Sequence, residues 1–151
     1  VLDVVGRRFQ EVFSQLFGGG TAQIVLTDPD NILTGGIDFY IQPPGKKRQQ
    51  LTLLSGGERA LTVIALLFSF LDYRPAPFCV LDEVDAALDE ANVERFSSYL
   101  NRVNKETQFI VVSHRKKTME AAEVLQGVTM VERGVSRLLT VAFEDVKEDL
   151  A

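Results

Sequence analysis

The sequence is poor in the features that define several common classes of protein. Its single cysteine, Cys79, excludes an internal disulfide framework and fits a reducing compartment, and its place in an apolar strand indicates an inert core thiol. The longest apolar stretch, residues 60–71, is shorter than the roughly 20 residues that span a membrane and predicts a buried helix instead. No basic-then-apolar secretory signal opens the chain. The 16 basic and 21 acidic residues give a net charge of −5, which argues against a surface that clamps nucleic acid throughout.

A further absence concerns chemistry directly. No phosphate-binding loop of the form G-x-x-x-x-G-K-[ST] occurs between Val1 and Ala151. The 151 residues are enough for one domain with a hydrophobic core. Because the chain begins at Val1 without an initiator methionine, we expect it to be a piece of a longer protein.

The spacing of apolar residues predicts a mixed α/β fold with one mainly parallel sheet flanked by helices. Apolar residues at three- and four-residue steps predict helices at 1–17, 57–73, 90–103 and 116–125. Apolar or alternating runs predict strands at 21–27, 37–42, 78–81, 107–112, 128–132 and 137–143. The basic run at 46–48 is interpreted as a solvated loop in preference to a contact for phosphate or nucleic acid.

A glycine-rich turn precedes the second predicted helix, with the sequence L-S-G-G-E at 54–58. Gly56 and Gly57 have no side chain that would keep an anion from the backbone N–H groups, and the start of a helix favours negative charge. The Ser55 hydroxyl can donate a further hydrogen bond. The same residues also fit a serine N-cap with closely packed glycines, and taken alone they favour that structural interpretation.

Two adjacent carboxylates, Asp82 and Glu83, follow the apolar strand at 78–81. Asp82 suits Mg²⁺, held through a water molecule, and Glu83 suits a general base or a group that orients water. Two solvated acids at the start of a loop are the plainer alternative. Asp85 and Asp89 weaken that alternative because they extend an acidic loop, and Asp89 also suits the N-cap of the next helix.

The single histidine, His114, follows the next predicted strand. Since the carboxyl ends of parallel strands meet at one edge of a sheet, we expect His114 near Glu83 and within reach of a γ-phosphate. A structural or exposed histidine is the alternative. Metal ligation is disfavoured because the sequence has no second histidine and no cysteine cluster.

In this order the motifs resemble the heads of ABC-type ATPases, within the P-loop NTPase superfamily, and more closely those of the SMC (structural maintenance of chromosomes) proteins. The resemblance covers nearly the whole chain and rests on L-S-G-G-E-R-A-L at 54–61, the strand and acids at 78–83, V-D-A-A-L-D at 84–89 and V-S-H at 112–114. Flanking sequence at 42–47 and 127–136 resembles the prokaryotic members. Glu58 stands where transporter ATPases usually have glutamine, and Val84 and Asp85 stand where they usually have proline and threonine, which argues against a transporter subunit.

The resemblance implies the C-terminal half of an SMC head. It makes residues 1–17 the base of a coiled coil, 18–50 a β meander and loop, 51–143 the lobe that carries the motifs, and 144–151 a tail. It also implies a role for each candidate residue. At the contact between heads, the implied roles are the signature motif that contacts ATP on a second head, for Ser55, Gly56, Gly57 and Glu58, and the end of the D-loop, for Asp89. At the nucleotide of the same head, Asp82 is implied to be the Mg²⁺-associated acid, Glu83 the catalytic base and His114 the switch histidine.

The resemblance further implies four partners: the N-terminal half of the same head, a second head in a homodimer, a kleisin subunit, and DNA through the complete complex. No membrane is expected, and the implied location is the cytoplasm, at the nucleoid. The implied function is ATP hydrolysis that drives head engagement in chromosome condensation and segregation, with the chain alone inactive. A recombination and repair ATPase with the same head, and a non-catalytic module that dimerises or binds a partner, are the alternatives.

Overall fold

The computed structural model describes residues 1–31, 34–103 and 106–142, so the predicted acidic tail at 144–151 lies outside the described residues. The helices and strands, in chain order, are α1 (Leu2–Phe17), β1 (Thr21–Leu26), β2 (Ile37–Gln42), β3 (Gln49–Gln50), α2 (Gly56–Tyr73), β4 (Phe78–Asp82), α3 (Glu90–Leu100), β5 (Gln108–Val112), α4 (Lys116–Glu120), β6 (Val124–Glu132) and β7 (Val135–Ala142). A short 3-10 helix at Leu51–Leu53 leads to α2. Within the described part of the chain, no helix is long and apolar enough to cross a membrane.

Helix α1 confirms the prediction from three- and four-residue spacing. It ends at Gly18, which takes a left-handed backbone conformation (φ 73°) that glycine adopts without steric cost. Its buried face contributes aromatic rings to the core, with Phe13 stacked on Phe17 at 4.1 Å between centroids. This face packs against α2 and β1.

Helix α2 crosses the core and brings α3 and β5 together. The ring of Phe68 stacks on Tyr99 of α3 at 4.9 Å and meets Phe109 of β5 edge-on at 5.8 Å. The prediction that α2 is buried on most sides is wrong, because Val63 and Phe70 lie exposed on it. This chain covers one face of α2 and leaves part of its apolar surface open.

The strands form three small sheets. β1, β2 and β3 are antiparallel, β6 and β7 form an antiparallel hairpin, and β4 and β5 pair in parallel across α3. The mixed α/β fold and the parallel pair are confirmed, and among the described strands β4 and β5 are the pair that runs in parallel. Large apolar side chains of that pair remain open to solvent: Phe78 at 59% exposure, Val80 at 55%, Ile110 at 48% and Val112 at 49%.

The segment after β5 differs from its prediction. The helix expected at 116–125 ends at Glu120, and Val124 already begins β6. Along β6 a series of β-branched residues pairs with β7, and this pairing prevails over the helical spacing of Met119, Ala122 and Leu125. Residues 133–134 form the turn between β6 and β7, with Gly134 at φ 83°.

Candidate functional site

The glycine-rich turn forms a reciprocal cap at the start of α2. The Ser55 hydroxyl donates to Glu58 Oε2 at 2.8 Å and accepts from the Glu58 backbone N–H at 3.4 Å. The Ser55 backbone N–H donates to the same Glu58 carboxylate oxygen at 3.2 Å. Ser55 is therefore an N-cap, which confirms the structural interpretation, and its side chain is exposed at the start of a helix, where an anion would be favoured.

Lys46, from the loop before β3, completes the surroundings of Glu58. Its Nζ lies 2.7 Å from Glu58 Oε1. This contact with Lys46, followed by the hydrogen bonds from Ser55, holds the pKa of Glu58 below its usual value despite partial burial. Arg48 of the same loop lies over the Tyr40 ring at 4.6 Å. Lys46 and Arg48 both remain exposed, so the loop is solvated as predicted, and these two contacts fix part of it.

The turn at 54–58 packs directly against the loop that follows β4. A Cβ atom at Gly57 would lie 3.2 Å from the carbonyl oxygen of Ala87, so only glycine allows this approach without a shift. The two segments form one wall of an open groove of about 500 Å³. The groove is lined by Phe17, Pro43, Pro44, Lys46, Ser55, Gly57, Glu58, Ala87, Asp89, Ala91, Asn92 and Arg95.

Asp89 enters this groove and has a second role in the fold. Its Oδ1 accepts from the Asn92 backbone N–H at 2.8 Å, which confirms the predicted N-cap of α3. The structure thus brings Ser55, Gly57, Glu58 and Asp89 to one surface. Gly56 lies exposed in the same turn, with open space around its Cα.

The predicted acids lie at the carboxyl end of β4. Asp82 is the last residue of the strand, and its side chain is exposed. Glu83 follows with a φ of 47°, the one positive φ of a non-glycine residue in the described chain. Its backbone N–H donates to the Val112 carbonyl at the end of β5 at 2.9 Å. A left-handed glutamate costs free energy and is typical of a functional position.

His114 meets Glu83 as the parallel pairing of β4 and β5 predicts. Its Nδ1 lies 3.7 Å from Glu83 Oε1, and both side chains are more than half exposed. A carboxylate and a neighbouring imidazole are thus open to a ligand at the edge of the sheet. This pair lies outside the groove that Ser55 and Asp89 line.

The residues present also fit a magnesium ion held mainly by other groups. Among the described residues, no group of three or more histidine, cysteine, aspartate or glutamate side chains could enclose a metal. Mg²⁺ commonly binds through one or two carboxylates, substrate phosphates and water. A single exposed carboxylate at Asp82 suits that mode of binding.

The most buried polar residue of the site is Asp85, and no pattern in the sequence indicates its burial. The sequence places Asp85 in an acidic loop, and the structure shows that Asp85 has no solvent exposure and contacts the segment that carries His114. Cys79, in contrast, agrees with its interpretation. It lies against the core, and burial raises the pKa of its thiol above the usual value, which favours an inert thiol.

Similarity to known proteins identifies the family of the chain. A family model described as the RecF/RecN/SMC N terminal domain matches residues 29–137. The chain is similar to the Chromosome partition protein Smc of Bacillus subtilis (strain 168), with 63% identity over 140 residues. That match covers 93% of this chain and 12% of the relative, so the chain spans only about an eighth of the curated relatives' length.

Solved structures give the same result for the fold. An Smc head domain with an extended coiled coil, bound to the C-terminal domain of ScpA and derived from Pyrococcus furiosus, has a TM-score of 0.88 and 37% identity, over 98% of this chain and 37% of that chain. A second solved structure has a TM-score of 0.86 and 36% identity. It comes from work on the structural biochemistry of ATP-driven dimerization and DNA stimulated activation of SMC ATPases. It covers 99% of this chain and 90% of that chain. The fold is that of an SMC ATPase head.

Proposed function

The chain belongs to the SMC proteins within the RecF/RecN/SMC family, and on that basis we propose that it forms the C-terminal half of an SMC ATPase head. The sequence has no phosphate loop of its own. The open apolar faces of β4, β5 and α2 support the need for a covering partner. The N-terminal half of the same head is the proposed partner, and it would supply the phosphate loop.

The pair formed by Glu83 and His114 carries the proposed reaction, which is hydrolysis of ATP. Glu83 acts as the general base, because a carboxylate at this edge can take a proton from an attacking water. His114, 3.7 Å away, contacts the γ-phosphate and limits the freedom of the Glu83 side chain. Asp82 would hold Mg²⁺ through water, and a bound ion would supply positive charge that offsets charge on the phosphates.

The groove that Ser55 and Asp89 line is the proposed contact with a second head. Ser55, Gly56 and Gly57 present a hydroxyl and backbone N–H groups to the nucleotide of the opposing head, since the start of α2 favours an anion. Glu58 orients the Ser55 hydroxyl through the hydrogen bond between them. The two groups of residues therefore serve two different nucleotides, one in each head.

Further partners follow from the same proposal. The similarity to a head bound to the C-terminal domain of ScpA supports a kleisin subunit as a partner. DNA is bound by the complete complex, which organises and segregates chromosomes in the cytoplasm, at the nucleoid. Helix α1 is the base of the coiled coil that enters the head, since its apolar face is buried against α2 and β1.

The decisive test replaces the base in a complete head. Glu83→Gln keeps the shape of the side chain but cannot accept a proton, so turnover should fall on the order of 100–10,000-fold. The ATP-bound dimer should then persist on a sizing column, because its nucleotide is not hydrolysed. The matched control is Glu132→Gln, the same change at an exposed acid of β6, which should leave turnover unchanged. Wild-type turnover in Glu83→Gln would exclude Glu83 as the base.

Two other functions predict different results in the same preparation. A repair ATPase is one alternative, because the matched family also includes RecF and RecN. It would hydrolyse ATP but fail to retain a kleisin in a pull-down. A non-catalytic module would dimerise without releasing phosphate when joined to its N-terminal half. The proposed function requires both phosphate release and kleisin binding.

A further inference from the structure

Asp85 joins the loop after β4 to the segment after β5. It has no solvent exposure, and one oxygen, Oδ2, accepts two hydrogen bonds. The Ser113 hydroxyl donates to it at 2.6 Å and the Thr118 hydroxyl at 2.5 Å. Hydrogen bonds to a buried carboxylate are stronger than those between neutral groups. Loop 83–89 and segment 113–118 are thus fixed to each other through this side chain.

The two neighbours of His114 both take part in this junction. Ser113 donates to Asp85, and its hydroxyl oxygen accepts from the Arg115 backbone N–H at 2.9 Å. The Arg115 guanidinium then donates to the backbone carbonyls of Leu88 at 2.9 Å and Ala86 at 3.3 Å. His114 therefore lies between two residues that are anchored to the loop, and that loop begins at Glu83.

The junction is costly as a purely structural device. The second oxygen of Asp85, Oδ1, is buried and makes no hydrogen bond in the described structure. A buried carboxylate with an unsatisfied oxygen destabilises a fold relative to a well-packed apolar residue. Stability alone therefore gives no reason for an aspartate here, whereas fixed geometry at its neighbours does.

We propose that Asp85 is a positioning residue for the hydrolytic pair, which sets the placement of His114 relative to Glu83 through Ser113 and Thr118. This proposal rests on the proposed function of Glu83 and His114. The same junction holds the loop that ends at Asp89, in the groove assigned to the second head. Asp85 therefore links the contact between heads to the pair that acts on the nucleotide.

The test compares Asp85→Ala with Asp85→Asn in a complete head. Alanine removes the acceptor, and we expect kcat to fall about 10- to 100-fold with KM for ATP unchanged, because catalytic geometry is lost and nucleotide binding is not. Asparagine keeps one acceptor oxygen of the same shape and should restore kcat to within a few-fold of wild type. Rates are normalised to the ATP-bound fraction, so that a loss of folded protein does not count as a loss of kcat.

A double-mutant cycle tests the connection itself and does not depend on Asp85→Ala folding well. Ser113→Ala and Thr118→Val each remove one donor, and each should lower kcat. In the double variant Ser113→Ala/Thr118→Val the loss of kcat should differ from the product of the two single losses, because both hydroxyls act through the same Asp85 oxygen. Ser69→Ala is the control, since Ser69 also loses buried hydroxyl bonds, to Ala65 and Leu66 of its own helix, and should leave kcat unchanged.

The outcomes separate this proposal from the proposed function. If both single donor variants lower thermal stability but keep the wild-type kcat, Asp85 is structural and the positioning role is wrong. If Glu83→Gln turns over at the wild-type rate, the proposed function fails first, whatever Asp85 does. A reduced kcat in the donor variants together with a strongly reduced rate in Glu83→Gln supports both.

Discussion

At the scale of single residues, Glu58 illustrates how one carboxylate can serve several groups. It accepts from the Ser55 backbone and hydroxyl and pairs with Lys46 at 2.7 Å. Lys46 is half exposed, so its contribution is limited by solvent screening. Lys46 also affects orientation, because a Glu58 carboxylate held in place fixes the direction of the Ser55 hydroxyl that faces the groove.

The lowered pKa of Glu58 gives a prediction on pH. A carboxyl whose pKa is lower in the folded state stabilises the protein above its unfolded pKa, near 4.5, and this contribution is lost as the pH falls through the folded value. Lys46→Ala removes the largest cause of the shift. We expect a complete head with Lys46→Ala to be less stable by about 0.5–1 kcal/mol at pH 7, with the difference shrinking in acid below pH 4.5.

Thermal unfolding at a series of pH values measures this difference. Lys47→Ala, at the neighbouring exposed lysine, is the matched control and should show no such dependence. Added salt should also reduce the effect of Lys46→Ala. A stability difference that stayed constant from pH 7 to strong acid would contradict the assigned ion pair.

At the scale of secondary-structure elements, the contact between α2 and loop 83–89 is set by the absence of a side chain. The Ala87 carbonyl oxygen would lie 3.2 Å from a Cβ atom at Gly57, whereas the space beside Gly56 is open. Gly57→Ala should therefore leave a complete head less stable than Gly56→Ala, by about 1 kcal/mol from overpacking. Equal melting temperatures for the two variants would show that the loop yields without cost.

An element can be predicted from the sequence when the information that determines it lies in neighbouring residues. Helices α1 and α3 carry it locally, in the spacing of apolar residues and in caps such as Gly18 and Asp89, so their starts were predicted closely. The end of helix α4 and the start of strand β6 were not, because β6 is stabilised by its pairing with β7. Local spacing at Met119 and Leu125 contains no information about that partner.

The same distinction applies to the site. Glu83 and His114 were predicted to meet because strand pairing places the ends of β4 and β5 together, and their 3.7 Å separation confirms it. Asp85 could not be recognised, because its two donors lie 28 and 33 residues further along the chain. Acidic loops are typically exposed, and only the fold shows that Asp85 is buried.

At the scale of the whole molecule, the groove predicts the behaviour of two heads. Ser55→Arg places a long cation beside Arg95, at the surface proposed to receive the opposing nucleotide. A complete head with this change should bind ATP normally and fail to dimerise, as seen by nucleotide titration and a sizing column. Ser98→Arg, the same change at an exposed serine outside that groove, should dimerise as wild type does.

The open face of β4 predicts how the two halves of the head assemble. Val80→Asp places a charge on an apolar surface that the N-terminal half would bury, and an unpaired buried charge strongly opposes association. When the halves are expressed as separate chains, this variant should fail to co-purify with its partner. Val25→Asp, an equivalent change at an exposed valine of β1, should co-purify; retention of Val80→Asp would place the covering surface elsewhere.

The open side of β4 and β5 also couples the chemistry to mass action. Glu83 and His114 stand at the ends of two strands that have one pairing partner each in the described chain. A partner that binds only the paired strands adds about 1.4 kcal/mol of stability for each tenfold rise in its concentration above its dissociation constant. In separate chains the fraction of heads that hold Glu83 and His114 together would thus vary with the concentration of the partner. When both halves belong to one polypeptide, the effective concentration of the partner half is constant. The fraction of heads with Glu83 and His114 held together is then constant too.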